Sequence, residues 1–277
     1  MARQSSIRFD KIGKWSEIKL DIVRDYAKAY STILTAQIRP RLHHVYIDGF
    51  AGAGIHIRKK TKEIVPGSPL NALWIEPPFR EFFFIDLDAS KAKSLKEHTA
   101  GRSDVHVFEG DCNEVLLKEV LPHVRFEDYR RGLCLLDPYG LHLRWQVIAR
   151  AGQMKSIDMF LNFPVMDMNR NALWKNPDKV GAEGIRRMNE FWGDDSWQRA
   201  AYKKTRTLFE EVDEKRSNED VAEAFRQRLK QAAGFKHVVE PLPMLNSRGA
   251  VVYYLFFASQ KAVADEIITA IFEKYRP

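Results

Sequence analysis

The stretch "HHVYIDGFAGAG", residues 43–54, decides how this chain folds. A short apolar run ends in an acid, Asp48, and three glycines follow within the next six residues. Such a run reads as a buried strand, and glycines let the backbone bend sharply where other residues would clash. Three ligand-free or ligand-binding readings compete for it: a phosphate loop, a dinucleotide site, or an ordinary tight strand-to-helix turn. A phosphate loop requires Lys-Ser or Lys-Thr after the last glycine, and Ile55 stands there instead. A dinucleotide fingerprint requires a third spaced glycine, but Gly52-Ala53-Gly54 runs on into Ile55, His56 and Ile57.

Outward from that stretch the chain alternates. Residues 15–35 place Ile18, Ile22, Tyr26, Ala29 and Ile33 at three- and four-residue steps, which predicts an amphipathic helix within an N-terminal helical segment, 1–40. Residues 55–67 predict a basic surface loop or short hairpin, and Ser68-Pro69 a capped helix start. Strands are expected at 80–86, 105–111, 132–138 and 156–164, with helices between them and Asp88 capping the helix at 90–99. Short, nearly all-apolar strands separated by helices signal a parallel sheet covered on both faces. Residues 165–218 carry no strand signal and predict a helical insertion. A further helix from 220 with Gly234 as its C-cap, a hairpin around "LNSRG" (245–249) and a closing helix complete the chain. The expectation is one α/β domain over residues 1–277, Rossmann-like and doubly wound, with a seven-stranded, mostly parallel sheet and a terminal antiparallel hairpin.

Bulk properties narrow the function classes. At 277 residues, 45% hydrophobic and 29% charged, the composition is that of a soluble, well-packed protein. No apolar run is long enough to cross a bilayer, and "MARQSSIRFDKIGKW" lacks the apolar region of a secretory signal, so no membrane role and a cytoplasmic location are expected. Cys112 and Cys134 are too few for a disulfide framework and lack metal-site spacing, so no metal is expected. A net charge of +7, spread along the chain, suits a nucleic-acid partner.

In an open parallel sheet, ligands sit outside the carboxyl ends of the strands. An acid ends each of the first four strands: Asp48, Asp86, Asp111 and Asp137, with Asn162 after the fifth. Singly, each reads as a turn residue. In order along one sheet edge they read as a site. A carboxylate entering the glycine turn suits a cationic ligand, and S-adenosylmethionine carries both an ammonium and a sulfonium. Asp48 with Gly49, Phe50, Ala51, Gly52 and Gly54 would hold its amino-acid end. Asp86 would take the ribose hydroxyls, and Asp111 the adenine amine with Cys112 packed nearby.

Together "YIDGFAGAG", "FFFIDLD", "EGDCN" and "LCLLDPYGLHL" resemble the seven-stranded, Rossmann-like S-adenosylmethionine-dependent methyltransferases. The leading helix "WSEIKLDIVRDYAKAY", "GSPLNAL", "LLDPYGL" and "DMFLNFPVMDMNRN", in that order, resemble the three-Cys-motif partner proteins (TcmP) over roughly residues 14–200. That resemblance implies a partner protein with a three-cysteine, radical-S-adenosylmethionine-like motif, and a role either as enzyme or as docking protein. A small molecule or a protein as methyl acceptor is a further reading. "LDPYG" is similar to the Asp/Asn-Pro-Pro-Tyr/Phe turn of amino-methyltransferases acting on adenine or cytosine, with Tyr139 in place of the second proline. By that likeness Asp137 and the carbonyl of Pro138 would accept from the amine, and Tyr139 would stack on the base. The resemblance also implies that Lys19 pairs with the cofactor carboxylate.

On the substrate side the insertion interleaves Trp174, Phe191, Trp192, Trp197 and Tyr202 with Arg170, Arg186, Arg187, Lys203 and Lys204. Aromatic and basic side chains together suit a nucleic-acid strand, although most of the aromatics are expected in a small helical core. Arg170 and Trp174, with Arg58, Lys59 and Lys60 on the loop after the glycine turn and Asn162 at the fifth strand, are the substrate candidates.

Overall fold

The computed structural model describes residues 10–59, 61–206 and 211–276. A short strand β1 (Asp10–Ile12) precedes helix α1 (Lys14–Ala36). The glycine-turn stretch supplies β2 (His43–Asp48), then come the hairpin strands β3 (Ile55–Arg58) and β4 (Ile64–Pro66) and helix α2 (Ser68–Leu73). Alternation follows: β5 (Glu81–Asp86), α3 (Ala89–His98), β6 (Val105–Glu109) and α4 (Cys112–Val115), which continues as a π turn over Leu116–Val120. Next are β7 (Arg130–Leu136), α5 (Trp145–Met154) and β8 (Ile157–Phe163). The inserted region holds α6 (Val165–Asn171), α7 (Ala182–Trp192), α8 (Trp197–Ala201), β9 (Tyr202–Arg206) and β10 (Glu211–Lys215). Helix α9 (Asn218–Gln231), β11 (His237–Val238), β12 (Leu242–Leu245), β13 (Val251–Ser259) and α10 (Ala262–Glu273) end the chain.

The main sheet runs β6-β5-β2-β7-β8-β13, with β11 and β12 end to end along the outer edge of β13. Counting β11 and β12 as one lane gives seven, in chain order 3-2-1-4-5-7-6, and β13 alone runs antiparallel to its neighbours. The winding direction reverses between β2 and β7, so a crevice must open at their carboxyl ends. Period-two alternation explains why both faces fill. Val45 and Ile47 enter one apolar core beneath α5, α7 and α9, while Tyr46 enters the other beneath α1 and α10. Each such buried side chain contributes about 1.5–3 kcal/mol. The architecture expected from the sequence, a doubly wound and mostly parallel sheet with a terminal hairpin, is the one observed.

Several local expectations change. The insertion is not wholly helical, because β9 and β10 pair antiparallel. Their exposed faces are polar and joined by Lys203–Glu214 and Lys204–Asp213 ion pairs, so no apolar alternation betrays them. The N-terminal segment is not only helical either, since β1 pairs in parallel with β3 across the glycine turn. Helix α1 buries Lys19, Ile22, Val23, Tyr26 and Tyr30, and Ile33 is exposed, so its buried face is rotated from the expected stripe. Gly67, not Ser68, is the N-cap of α2, and Ala232, not Gly234, ends α9. Phe191, Trp192, Trp197 and Tyr202 are buried as expected, but in the core of the main sheet with Leu161 and Phe163 rather than in a small helical core of their own, while Trp174 stays exposed.

Candidate active site

Asp48 ends β2 with no exposed surface. Its Oδ1 accepts from the Phe50 amide at 3.1 Å and its Oδ2 from the Ser68 hydroxyl at 2.5 Å. The carboxylate therefore ties the glycine turn to the start of α2. Burial pushes its pKa up to about 7, against the pull of Ser68 and Phe50. Gly52 and Gly54 adopt left-handed backbone at φ +65° and +84°, and a Cβ on Gly54 would lie 2.9 Å from Leu95. The Gly52 amide donates to Asp86 Oδ2, and the Asp88 amide to Asp86 Oδ1, each at 2.8 Å. The turn is thus stitched to β5 as well.

A cleft of about 360 Å³ opens over this edge. Of the residues expected from the sequence it gathers Lys19, Phe50, Ala51, Gly52, the Asp137-Pro138-Tyr139 turn, Asn162 and Arg170. At its centre Lys19 Nζ forms an ion pair with Asp137 Oδ2, while Asn162 Nδ2 donates to Asp137 Oδ1 at 2.8 Å. Three elements meet on one carboxylate: α1, the end of β7 and the end of β8. Tyr139, 64% exposed, donates its hydroxyl to Asp10 Oδ2 at 3.1 Å. Lys91 Nζ reaches the same oxygen at 2.7 Å and lies 5.6 Å from the Tyr139 ring centroid. One face of that ring is accordingly claimed by a cation.

Other expected residues lie elsewhere. Asp48 and Asp86 sit beneath and beside the turn as just described. Asp111 caps α4, its Oδ1 accepting from the Asn113 amide at 2.8 Å and the Glu114 amide at 3.3 Å, and it does not line the cleft. Cys112 is a free thiol buried in the core, where burial raises its pKa. Gly49 packs against Leu136 and Leu116. Arg58 pairs with Glu17 at 3.2 Å and Glu63 at 2.7 Å, Lys59 is exposed beside it, and Lys60 lies outside the described residues. Trp174 donates its indole N–H to the Arg170 carbonyl on the surface beyond α6.

The cleft also holds residues that sequence reasoning passed over: Asp10, Trp15, His56, Ser68, Asp167 and Tyr253. Burial lowers the pKa of His56 and keeps it neutral. Ser68 had a local signal, its place opposite the glycine turn in "GSPLNAL". Tyr253 had none, because it reads as one more aromatic in an all-apolar strand. Among the described residues no group of His, Cys, Asp or Glu could hold a metal ion, and no helix is long and apolar enough to cross a membrane.

A scan against protein-family models and a search of curated proteins found no match. Among solved structures, the chain is similar to protein LPL1258 from Legionella pneumophila str. Philadelphia 1, carrying the family-model DUF519. The likeness has a TM-score of 0.53 at 12% identity and covers 95% of this chain and 92% of that one. It extends over nearly both molecules and concerns the fold alone. Looser likenesses include the CurJ carbon methyltransferase (TM-score 0.46, 12% identity, 89% of this chain and 56% of that one). The 23S rRNA methyltransferase ErmE is another (TM-score 0.37, 14% identity, 87% and 68%). These two are too distant to argue from.

Proposed function

We propose that this chain is an S-adenosylmethionine-dependent methyltransferase acting on an amino nitrogen of a nucleic-acid base, with chemistry of the adenine N6 type. The observation that carries the reading is Asp137: a carboxylate at the reversal point of the sheet, already holding an N–H donor, Lys19 Nζ, against one oxygen. That donor marks where a substrate amine would sit.

The residues present fit the cofactor. Above Gly52 a Cβ would meet nothing nearer than Asp10 Oδ2 at 3.8 Å, so the turn offers an open cradle into the cleft. Asp86, at the end of β5 beside the turn, would give that half of the cleft the sign a sulfonium and an ammonium require. Phe50, Ala51 and Gly52 would form the floor, and Lys19 would serve the cofactor carboxylate. Asp86, beside the turn, would serve the ribose.

When bound, the cofactor supplies a methyl group whose bond to a positive sulfur breaks with the electron pair staying on sulfur as the amine lone pair takes the carbon. Aromatic amines are poor nucleophiles because that lone pair is delocalised into the ring. Asp137 and the Pro138 carbonyl counter this by accepting both amine hydrogens, which favours a pyramidal nitrogen. Asp137 then holds the departing proton. Tyr139 presents the ring face that Lys91 leaves open to the base. Arg170, exposed at the cleft margin, is placed to meet a phosphate.

Replacing Asp137 with Ala is expected to reduce methyl transfer at least about a hundredfold, the scale of losing one preorganised polar group, while cofactor affinity persists. Transfer of labelled methyl to mixed DNA and RNA, alongside calorimetry, measures both. Undiminished turnover in the variant would contradict the assignment.

A further inference from the structure

Asp137 divides the cleft in two. On the β2 and β5 side lies the glycine turn, and on the other side the floor is built from β8 and β13. That second half contains two polar atoms with no hydrogen-bond partner among the described residues, Asn162 Oδ1 and the Tyr253 hydroxyl. Both side chains are more than nine-tenths buried, at 8% and 2% exposed. They also face the same way: Asn162 pairs with Leu255 across the sheet, and Tyr253 lies two residues along on the same face.

Chemistry fixes their roles. Asn162 Nδ2 donates to Asp137 Oδ1, and a carboxylate cannot donate in return, so the amide cannot be turned around. Oδ1 is therefore an acceptor without a donor. Burial, reinforced by the nearby Asp137 charge, raises the Tyr253 pKa and keeps the phenol protonated, a donor without an acceptor. Leaving such groups buried and unsatisfied costs free energy, and a native site that tolerates it invites a ligand as the explanation.

Resting on the reading of Asp137 given above, we infer that Asn162 Oδ1 and the Tyr253 hydroxyl read the edge of the methyl acceptor. Asn162 Oδ1 shares with Asp137 the amine hydrogen that Asp137 accepts, and Tyr253 donates to a bare ring nitrogen beside that amine. An acceptor followed by a donor matches the amine-and-ring-nitrogen edge of adenine or cytosine. It offers no such match to an acceptor that lacks an amine beside a bare ring nitrogen, such as uracil or an aliphatic hydroxyl. Lys19 Nζ, on Asp137 and 5.7 Å from the Tyr253 ring centroid, closes this half until it leaves Asp137. Trp15, edge-on to Tyr253 at 5.7 Å, forms an aromatic wall beside the reading pair.

The test uses the full chain with S-adenosylmethionine and single-stranded RNA and DNA oligonucleotides. Their target adenine or cytosine is either intact or carries C–H in place of the ring nitrogen beside the amine. Tyr253→Phe is expected to lower kcat/KM about tenfold on intact targets, the scale of one hydrogen bond, and to leave the C–H targets unchanged. Asn162→Ala is expected to lower it on both. Cofactor affinity should hold in both variants, and Tyr253→Phe should unfold at the same or a higher temperature, because its hydroxyl has no partner to lose. A Tyr253→Phe loss equal on both targets, or no loss in either variant, overturns the inference while leaving the methyltransferase reading standing. Cofactor binding with no transfer to any oligonucleotide by the unaltered protein overturns both.

Discussion

Asp48 and Asp137 end neighbouring strands, yet their surroundings differ. Asp48 is sealed under the turn with two donors, whereas Asp137 reaches the cleft and meets Lys19. The consequence at Asp48 is a pH dependence with a definite sign. Its pKa stands at about 7 in the fold against 3.8 ordinarily, so over that window the unfolded chain has shed a proton that the folded chain keeps. Stability due to this group therefore falls as pH rises through the window, with a slope of up to about 1.4 kcal/mol per unit, and is level on either side. Asp48→Asn should remove that slope. Denaturant unfolding of both proteins across the window measures it, and identical profiles would contradict the argument. The acids at the strand ends were legible in the sequence because their positions follow from strand boundaries. Their partners were not: that Ser68 would claim Asp48, or Lys19 claim Asp137, depends on contacts between residues 20 and 118 positions apart.

Among the elements, the glycine turn was the most legible, since its left-handed residues are ones that only glycine adopts without strain. Gly54→Ala tests this directly. The φ of +84° would cost about 1–2 kcal/mol in an alanine, and the new Cβ would press on Leu95. The expected result is that loss of unfolding free energy together with weakened cofactor affinity, read by denaturant titration and calorimetry. A variant unchanged in both would show that the turn is not under this constraint. Helix α1 was legible as a helix but not in its rotation. Lys19 lies on its buried face, and a pattern search that seeks only apolar residues skips a lysine whose charge is met by a distant carboxylate. The β9–β10 hairpin escaped for the opposite reason, being polar on its exposed faces and held by surface ion pairs.

For the whole molecule, the parallel sheet was legible because strands buried on both faces leave continuous apolar runs separated by helices. The lane order then follows from pairing, and it places the reversal point, and hence the cleft, between β2 and β7. Charge at this scale was misleading in detail. Although the net charge is +7, Arg58, Arg186 and Arg187 each meet glutamates, as Lys203 does in the hairpin. Exposed pairs of this kind are worth about 0–1 kcal/mol, so phosphates can replace the glutamates at little cost. Titrating the full chain with S-adenosylmethionine in a calorimeter tests the central claim most directly. The account predicts saturable one-to-one binding that survives Asp137→Ala; a folded protein that gives no saturable heat would contradict it.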